Sequence, residues 1–189
     1  MFQRLSTSFN FEKMSHLAKP ELRALQGIDI SPKTLKVEVK GEILIYEAPL
    51  LEHVVNDSGE DFLLKWSDTD QKVDRWMLYR TPPSSLLDFF NKKVNLRDLI
   101  NHNPDGFVLF LDYEIDGGSQ PVRITKTKTG DIPPGYLPFE DSYYEKGDFM
   151  YYEYCEVLRQ QLEAHLTSNQ LYKIRPEASP AVLNEPPSE

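Results

Sequence analysis

The 189-residue chain has a single cysteine, Cys155, so no disulfide can form within it, as suits a reducing compartment. No apolar run approaches the ~20 residues that a membrane-spanning helix needs. The opening MFQRLSTSFNFEK lacks the apolar stretch of a secretory signal. Positive charge is in deficit: 21 Lys and Arg stand against 30 Asp and Glu, for a formal net charge of -9. That balance argues against broad electrostatic binding to nucleic acid or to an anionic membrane. The four histidines, His16, His53, His102 and His165, are scattered, and none has metal-ligand spacing. There is no HExxH, CxxC, GxSxG or GxxxxGK[ST] pattern. The expectation is a cytoplasmic protein with no cofactor, no membrane attachment and no direct nucleic-acid ligand.

What is present is apolar material enough for a core: 40% hydrophobic and 12% aromatic residues in a chain of one-domain length. The densest stretch runs from Asp74 to Asp116. Trp76, Leu78, Leu86, Leu87, Phe89, Phe90, Leu96, Leu99, Ile100, Phe107, Leu109 and Leu111 are its candidate core residues. Thr81-Pro82-Pro83 ends a strand, because proline brings no N–H to a ladder. Ser84 or Ser85 can cap the helix that follows, and Asn95 a second short one. Asn103-Pro104-Asp105-Gly106 is a turn. FVLFLDYEI then reads as a strand covered on both faces.

On either side the pattern is of short strands. Leu35–Gly41 alternates strictly and is half-buried. The run from Glu42 to Asp57 reads as a strand bent at Ala48-Pro49. Polar turns at Asp57-Ser58-Gly59 and Asp68-Thr69-Asp70 make a meander. In PVRITKTKTG, Lys126 and Lys128 suggest a protected sheet edge. Helices are expected in the N-terminal segment, where Leu22 and Leu25 share a side and Gly27 can cap. Others are expected from Ser84 to Leu99 and from Phe149 to Leu166. The fold class is α+β: a mainly antiparallel sheet of five to six strands with two or three packed helices. One domain covers 1–172, made of an N-terminal helical segment (1–31), a sheet core (32–129) and an aromatic–acidic loop with the C-terminal helix (130–172). Residues 173–189 are a proline- and acid-rich tail.

Two constellations could carry function. Asp112, Glu114 and Asp116 alternate at a strand end and so share one face, which is suited to a divalent cation in a metal-dependent enzyme. The second is the run from Tyr136 to Glu156. Here tyrosines and phenylalanines alternate with acids, and only Lys146 is positive. Tyrosines make strong interface anchors, whereas base-stacking sites add positive charge for the backbone. The segment is therefore either a lid over the core or a protein-binding face built from Tyr136, Phe139, Asp141, Tyr143, Tyr144 and Tyr151.

The sequence of a bent strand with APLL, a hairpin, a WxLYRTP-like strand, a helix followed by LRDLI, and GYLPFEDSYY spans about 42–144. It resembles a family of uncharacterised bacterial domains with an LPxxDS-type segment after a strand-helix-strand core. Pro138, Asp141 and Ser142 match best. The resemblance implies a small bacterial cytosolic domain, a partner subunit of a complex, and assigns no catalytic residue. The expected function is that of a non-enzymatic protein-binding subunit. The alternatives are a metal-dependent enzyme using Asp112, Glu114 and Asp116, and an acidic inhibitor or nucleic-acid mimic.

Overall fold

The computed structural model describes residues 21–46, 48–145 and 152–174. Residues 1–20 of the expected N-terminal helical segment, the start of the last helix at Phe149, Tyr151 and the tail beyond residue 174 lie outside that range. The described chain forms seven strands: β1 (Ile28–Ile30), β2 (Val37–Tyr46), β3 (Ala48–Asn56), β4 (Asp61–Thr69), β5 (Val73–Arg80), β6 (Phe107–Glu114) and β7 (Arg123–Lys128). They make one antiparallel sheet in the order β1-β7-β6-β5-β4-β3-β2. Three helices accompany it, α1 (Pro83–Phe90), α2 (Leu96–Asn101) and α3 (Tyr152–Ile174).

The α+β class and the antiparallel sheet agree with the sequence; the strand count is seven, not five to six. The additional strand is β1, in a stretch whose leucine spacing suggested a helix. No helix forms over Leu22 and Leu25. Gly27 is not a helix cap but a point of close approach, where any Cβ would strike the Lys126 carbonyl oxygen and the Thr125 and Thr127 side chains. β1 is then fixed by Asp29, whose carboxylate accepts from Thr125 Oγ1 at 2.9 Å and Arg123 Nε at 3.1 Å. It covers β7, so Lys126 does not guard a bare margin; its Nζ sits 3.7 Å over the Phe107 ring. The supposed bend at Ala48-Pro49 is a reversal: β2 and β3 pair from Val37↔Asn56 to Tyr46↔Ala48.

The meander's turns follow from short polar side chains folding back on the backbone. Asn56 Oδ1 accepts from the N–H of Ser58 (3.0 Å) and of Glu60 (2.9 Å), with Gly59 at φ 77°. Asp70 Oδ1 accepts from the N–H of Lys72 and Val73 at 2.7 and 2.8 Å. The two helices expected between Ser84 and Leu99 form as α1 and α2. Neither serine caps α1, because Pro82 holds the cap position and Pro83, the first helical residue, has no N–H to satisfy. Asn95 does cap α2, accepting the Asp98 N–H at 2.8 Å.

The sheet divides the core in two. One face, with Leu51, Leu63, Met77, Tyr79, Val108 and Phe110, lies beneath α1, α2 and α3. The other gathers Val54, Leu64, Trp76, Leu78, Leu111 and Ile124, with Ile30 and Leu35 packed against them. β6 contributes to both, as its unbroken apolar run suggested, but its deepest residues are Val108, Phe110 and Leu111; Phe107 and Leu109 are only half-buried. In α3, Cys155, Leu158 and Leu162 are the buried face, while Val157 is exposed. Phe110→Ala is expected to cost about 3–5 kcal/mol in urea unfolding, as for other deeply buried phenylalanines. Phe107→Ala should cost less, and the reverse ranking would show that the Phe110 site collapses around the void.

Candidate functional site

At one end of the helix-covered face a charged pair sits inside the core. Arg75 on β5 and Asp112 on β6 are register partners, and their side chains are almost wholly buried. The contact is bidentate: Nε donates to Oδ1 at 2.6 Å and Nη2 to Oδ2 at 2.8 Å. Burial opposes the guanidinium charge, but the Asp112 carboxylate outweighs it and holds Arg75 above its ordinary value. Nη1 points out of the pair, donating to the Arg23 carbonyl at 2.7 Å and to Tyr136 Oη at 3.0 Å. One side chain thus ties the segment before β1 and the loop after β7 to the sheet.

That loop is the aromatic–acidic segment, and its residues part company. Tyr136 is 1% exposed, with its ring against Phe110 at 5.3 Å and its hydroxyl on Arg75; burial raises its ionisation above the ordinary phenol value. Tyr144 turns its edge to Phe89 and Phe90, at 5.7 and 5.0 Å between ring centres. Between them the backbone is held to the cap of α2. Asn95 Nδ2 donates to the Glu140 carbonyl (3.0 Å), and Leu96 N–H donates to the Ser142 carbonyl (2.9 Å). Ser142 Oγ closes the turn on the Phe139 carbonyl at 2.6 Å. With inner positions so fixed, Phe139 stands 84% exposed and Tyr143 45% exposed. Glu140, Asp141 and Glu145, all exposed, flank them. Of the six residues singled out in the sequence, Tyr136 and Tyr144 serve the core, Phe139, Asp141 and Tyr143 face outward, and Tyr151 lies outside the described range.

The acidic row does not act as a unit. Both oxygens of Asp112 are engaged by Arg75, whereas Glu114 is exposed and Asp116 lies beyond the strand's end. Among the described residues, no three His, Cys, Asp or Glu side chains are grouped for a metal ion.

Sequence reasoning missed two features. His53, on β3, joins Asp61 Oδ1 through Nε2 at 2.8 Å and Tyr154 Oη through Nδ1 at 2.7 Å. The chain fastens α3 to β3 and β4. Gly41 permits it, since a Cβ there would lie 2.6 Å from the Tyr154 ring. No spacing announces a chain whose members sit at positions 53, 61 and 154. Beside it, burial pushes the Cys155 thiol up, and its sulfur rests against backbone carbonyls, so packing rather than nucleophilicity describes it. The other feature is Lys65, whose ammonium burial pushes down to about 8, with Nζ donating to the Trp66 carbonyl at 2.8 Å. A cavity of about 360 Å³ opens on the second sheet face, lined by Leu35, Val37, Phe62, Leu78 and Leu109. Its rim arginine, Arg80, is already matched by Glu60 (2.6 Å) and Asp105 (3.1 Å), and Lys36, also on its lining, stands 3.7 Å from Asp57.

Among the described residues no helix is long and apolar enough to cross a membrane. Comparison of the chain with protein-family models, with curated proteins and with solved structures finds no match.

Two outcomes test the site's electrostatics. Asp112→Ala should cost about 3–5 kcal/mol, because it strands a buried guanidinium, while Asp112→Leu together with Arg75→Met should recover part of that loss in chemical denaturation. A double variant no better than the single one would place the damage in packing. For Lys65, the unfolded chain keeps its proton to about 10.5 and the folded chain only to about 8. Between those values the unfolded state binds more protons, so this group makes stability rise with pH. Lys65→Met should raise the melting temperature at pH 7 and flatten the rise between pH 8 and 10, read as the difference between the two pH profiles.

Proposed function

We propose that the protein is a non-enzymatic subunit of a bacterial cytosolic complex, and that its partner is another protein seated on the loop between β7 and α3. The observation that carries the reading is the contrast within that loop. Its backbone is tied to α2, Tyr136 is sunk in the core and Tyr144 packs against it, yet Phe139 is left 84% exposed. A large apolar side chain on a secured backbone loses little entropy when a partner covers it. Tyr143 beside it offers a ring with a polar tip. The partner fitted to this surface has an apolar recess for Phe139 and basic residues for Asp141 and Glu145, and for Glu140 in exchange for its exposed 3.4 Å contact to Arg97. Attraction of that kind makes association salt-sensitive.

The test uses the tagged full chain and the loop's own division of labour. Phe139→Ala with Tyr143→Ala should leave the melting temperature within a degree or two, since surface changes alter stability by about 0.5 kcal/mol or less. The same double variant should lose the protein that the wild type retains from an extract of its own cells, a loss of ~2 kcal/mol or more if the two rings are hot spots. Tyr144→Ala, by contrast, should lower the melting temperature. Retention of the same protein by the double variant, with the fold intact, would show that these rings are not the binding face.

A further inference from the structure

The strand order leaves β2 at one margin of the sheet. Its first part is regular: Val37 faces Asn56, Val39 faces Val54, and the first break in register follows Val39. The direction of its backbone groups can be worked out from its neighbour. Asn56 donates its N–H to the Glu60 carbonyl at 3.2 Å and accepts at its own carbonyl from Gly59 N–H at 2.9 Å, so both groups point toward β4. In an antiparallel ladder, a residue that bonds one neighbour turns its backbone away from the other. Val37 and Asn56 are therefore a non-hydrogen-bonded pair. The N–H and carbonyl of Val37 point outward, and those of Val39 do so too by the period of two.

The side chains of this stretch match themselves when reversed. Leu35, Val37 and Val39 lie toward the second face of the sheet, where Leu35 and Val37 border the core, and Lys36 and Glu38 lie on the opposite side. We propose that Leu35–Val39 pairs antiparallel with the same segment of a second copy of this chain, about a two-fold axis at Val37. In that register Val37 meets Val37, Leu35 meets Val39, and Lys36 meets Glu38 twice. Val37 exchanges N–H and carbonyl bonds with its equivalent, and the Val39 N–H reaches the Leu35 carbonyl. Lys36 and Glu38 fall in the non-hydrogen-bonded position, where opposed side chains come closest, Cβ atoms about 4.5–5.5 Å apart. Val39, 44% exposed here, gains an apolar neighbour.

The structure also limits the pairing to this window. The Leu35 N–H is already given to the Pro32 carbonyl at 3.3 Å. Beyond Val39 the register shifts, and α3 occupies the strand: Tyr154 lies over Gly41, and Cys155 Sγ approaches the carbonyls of Glu42 and Ile43 at 3.9 and 3.8 Å. The existing contacts of the two charges are exposed surface ones, Lys40 to Glu38 at 2.6 Å and Lys36 to Asp57 at 3.7 Å, and do not compete strongly. A foreign strand with a base opposite Lys36 or an acid opposite Glu38 would set like charges against one another.

Sedimentation equilibrium of the full chain across a wide concentration range tests the pairing. The wild type should approach twice its 21.9 kDa mass. Glu38→Lys and Lys36→Glu, each of which sets like charges opposite one another, should move dimerisation to concentrations at least about tenfold higher. The two substitutions together restore opposite charges and should restore the dimer. Thermal melts of all three variants confirm that the fold is kept. A wild type that stays monomeric overturns the proposal. So does a dimer indifferent to either single reversal, or a combined variant that fails to recover.

Discussion

A salt bridge between β5 and β6 holds together the parts of this molecule that are distant in sequence. Arg75 and Asp112 face each other across the ladder, and each satisfies the charge that burial would otherwise make costly. Taking both from water has a large penalty, which the bidentate contact largely offsets rather than exceeds. Its value lies in the remaining guanidinium nitrogen, which reaches the Arg23 carbonyl and the Tyr136 hydroxyl. Other directed bonds hold the two parts separately, Asp29 to β7 and the loop backbone to Asn95 and Leu96, but this nitrogen is where the segment leading into β1 and the loop leaving β7 meet one common partner. One buried cation thereby places them relative to each other.

From that anchor the two faces of the sheet take different characters. The helix-covered face carries the polar fastenings: the Arg75 cluster at one end and the Asp61–His53–Tyr154 chain at the other. The second face is held by aliphatic and tryptophan packing and keeps a cavity near the start of β2. The proposed partner surface on the loop and the proposed self-pairing segment of β2 share no residue, so neither proposal excludes the other.

Local signals were legible in the sequence where one residue or one turn decides the outcome. Asn95 capped α2, the turn at Asp57-Ser58-Gly59 closed the first hairpin, and the apolar run of β6 lay between two cores; the turn read at Asp68-Thr69-Asp70 falls later, at Asp70–Val73, because Asp68 and Thr69 still belong to β4. Legibility failed where a distant partner decides. Three residues of β1 are too few to show alternation, and it is contacts with β7, the close approach of Gly27 and the bonds of Asp29, that make them a strand. Asp112 has the same alternation as Glu114, yet pairing with a residue 37 positions away removes it from any acidic site. Within the loop, composition alone could not sort Tyr136 from Tyr143, because the sorting is done by Arg75 and by the two phenylalanines of α1. His53 gave no sign at all, since its partners come from another strand and from the last helix.

The separation of inner from outer positions in the β7–α3 loop has a consequence for how such a chain can change over generations. Tyr136, Tyr144 and the backbone bonds to Asn95 and Leu96 fix the loop's path without using the side chains of Phe139, Glu140 or Asp141 in the core. Mutation at the outer positions thereby costs the fold no more than exposed contacts such as that of Glu140 to Arg97, whereas mutation at the inner ones reaches the core. Descendants of this sequence can diverge in what the loop displays while retaining the same scaffold, and variation among them should collect at 139–141 and 143 and thin out at 136 and 144.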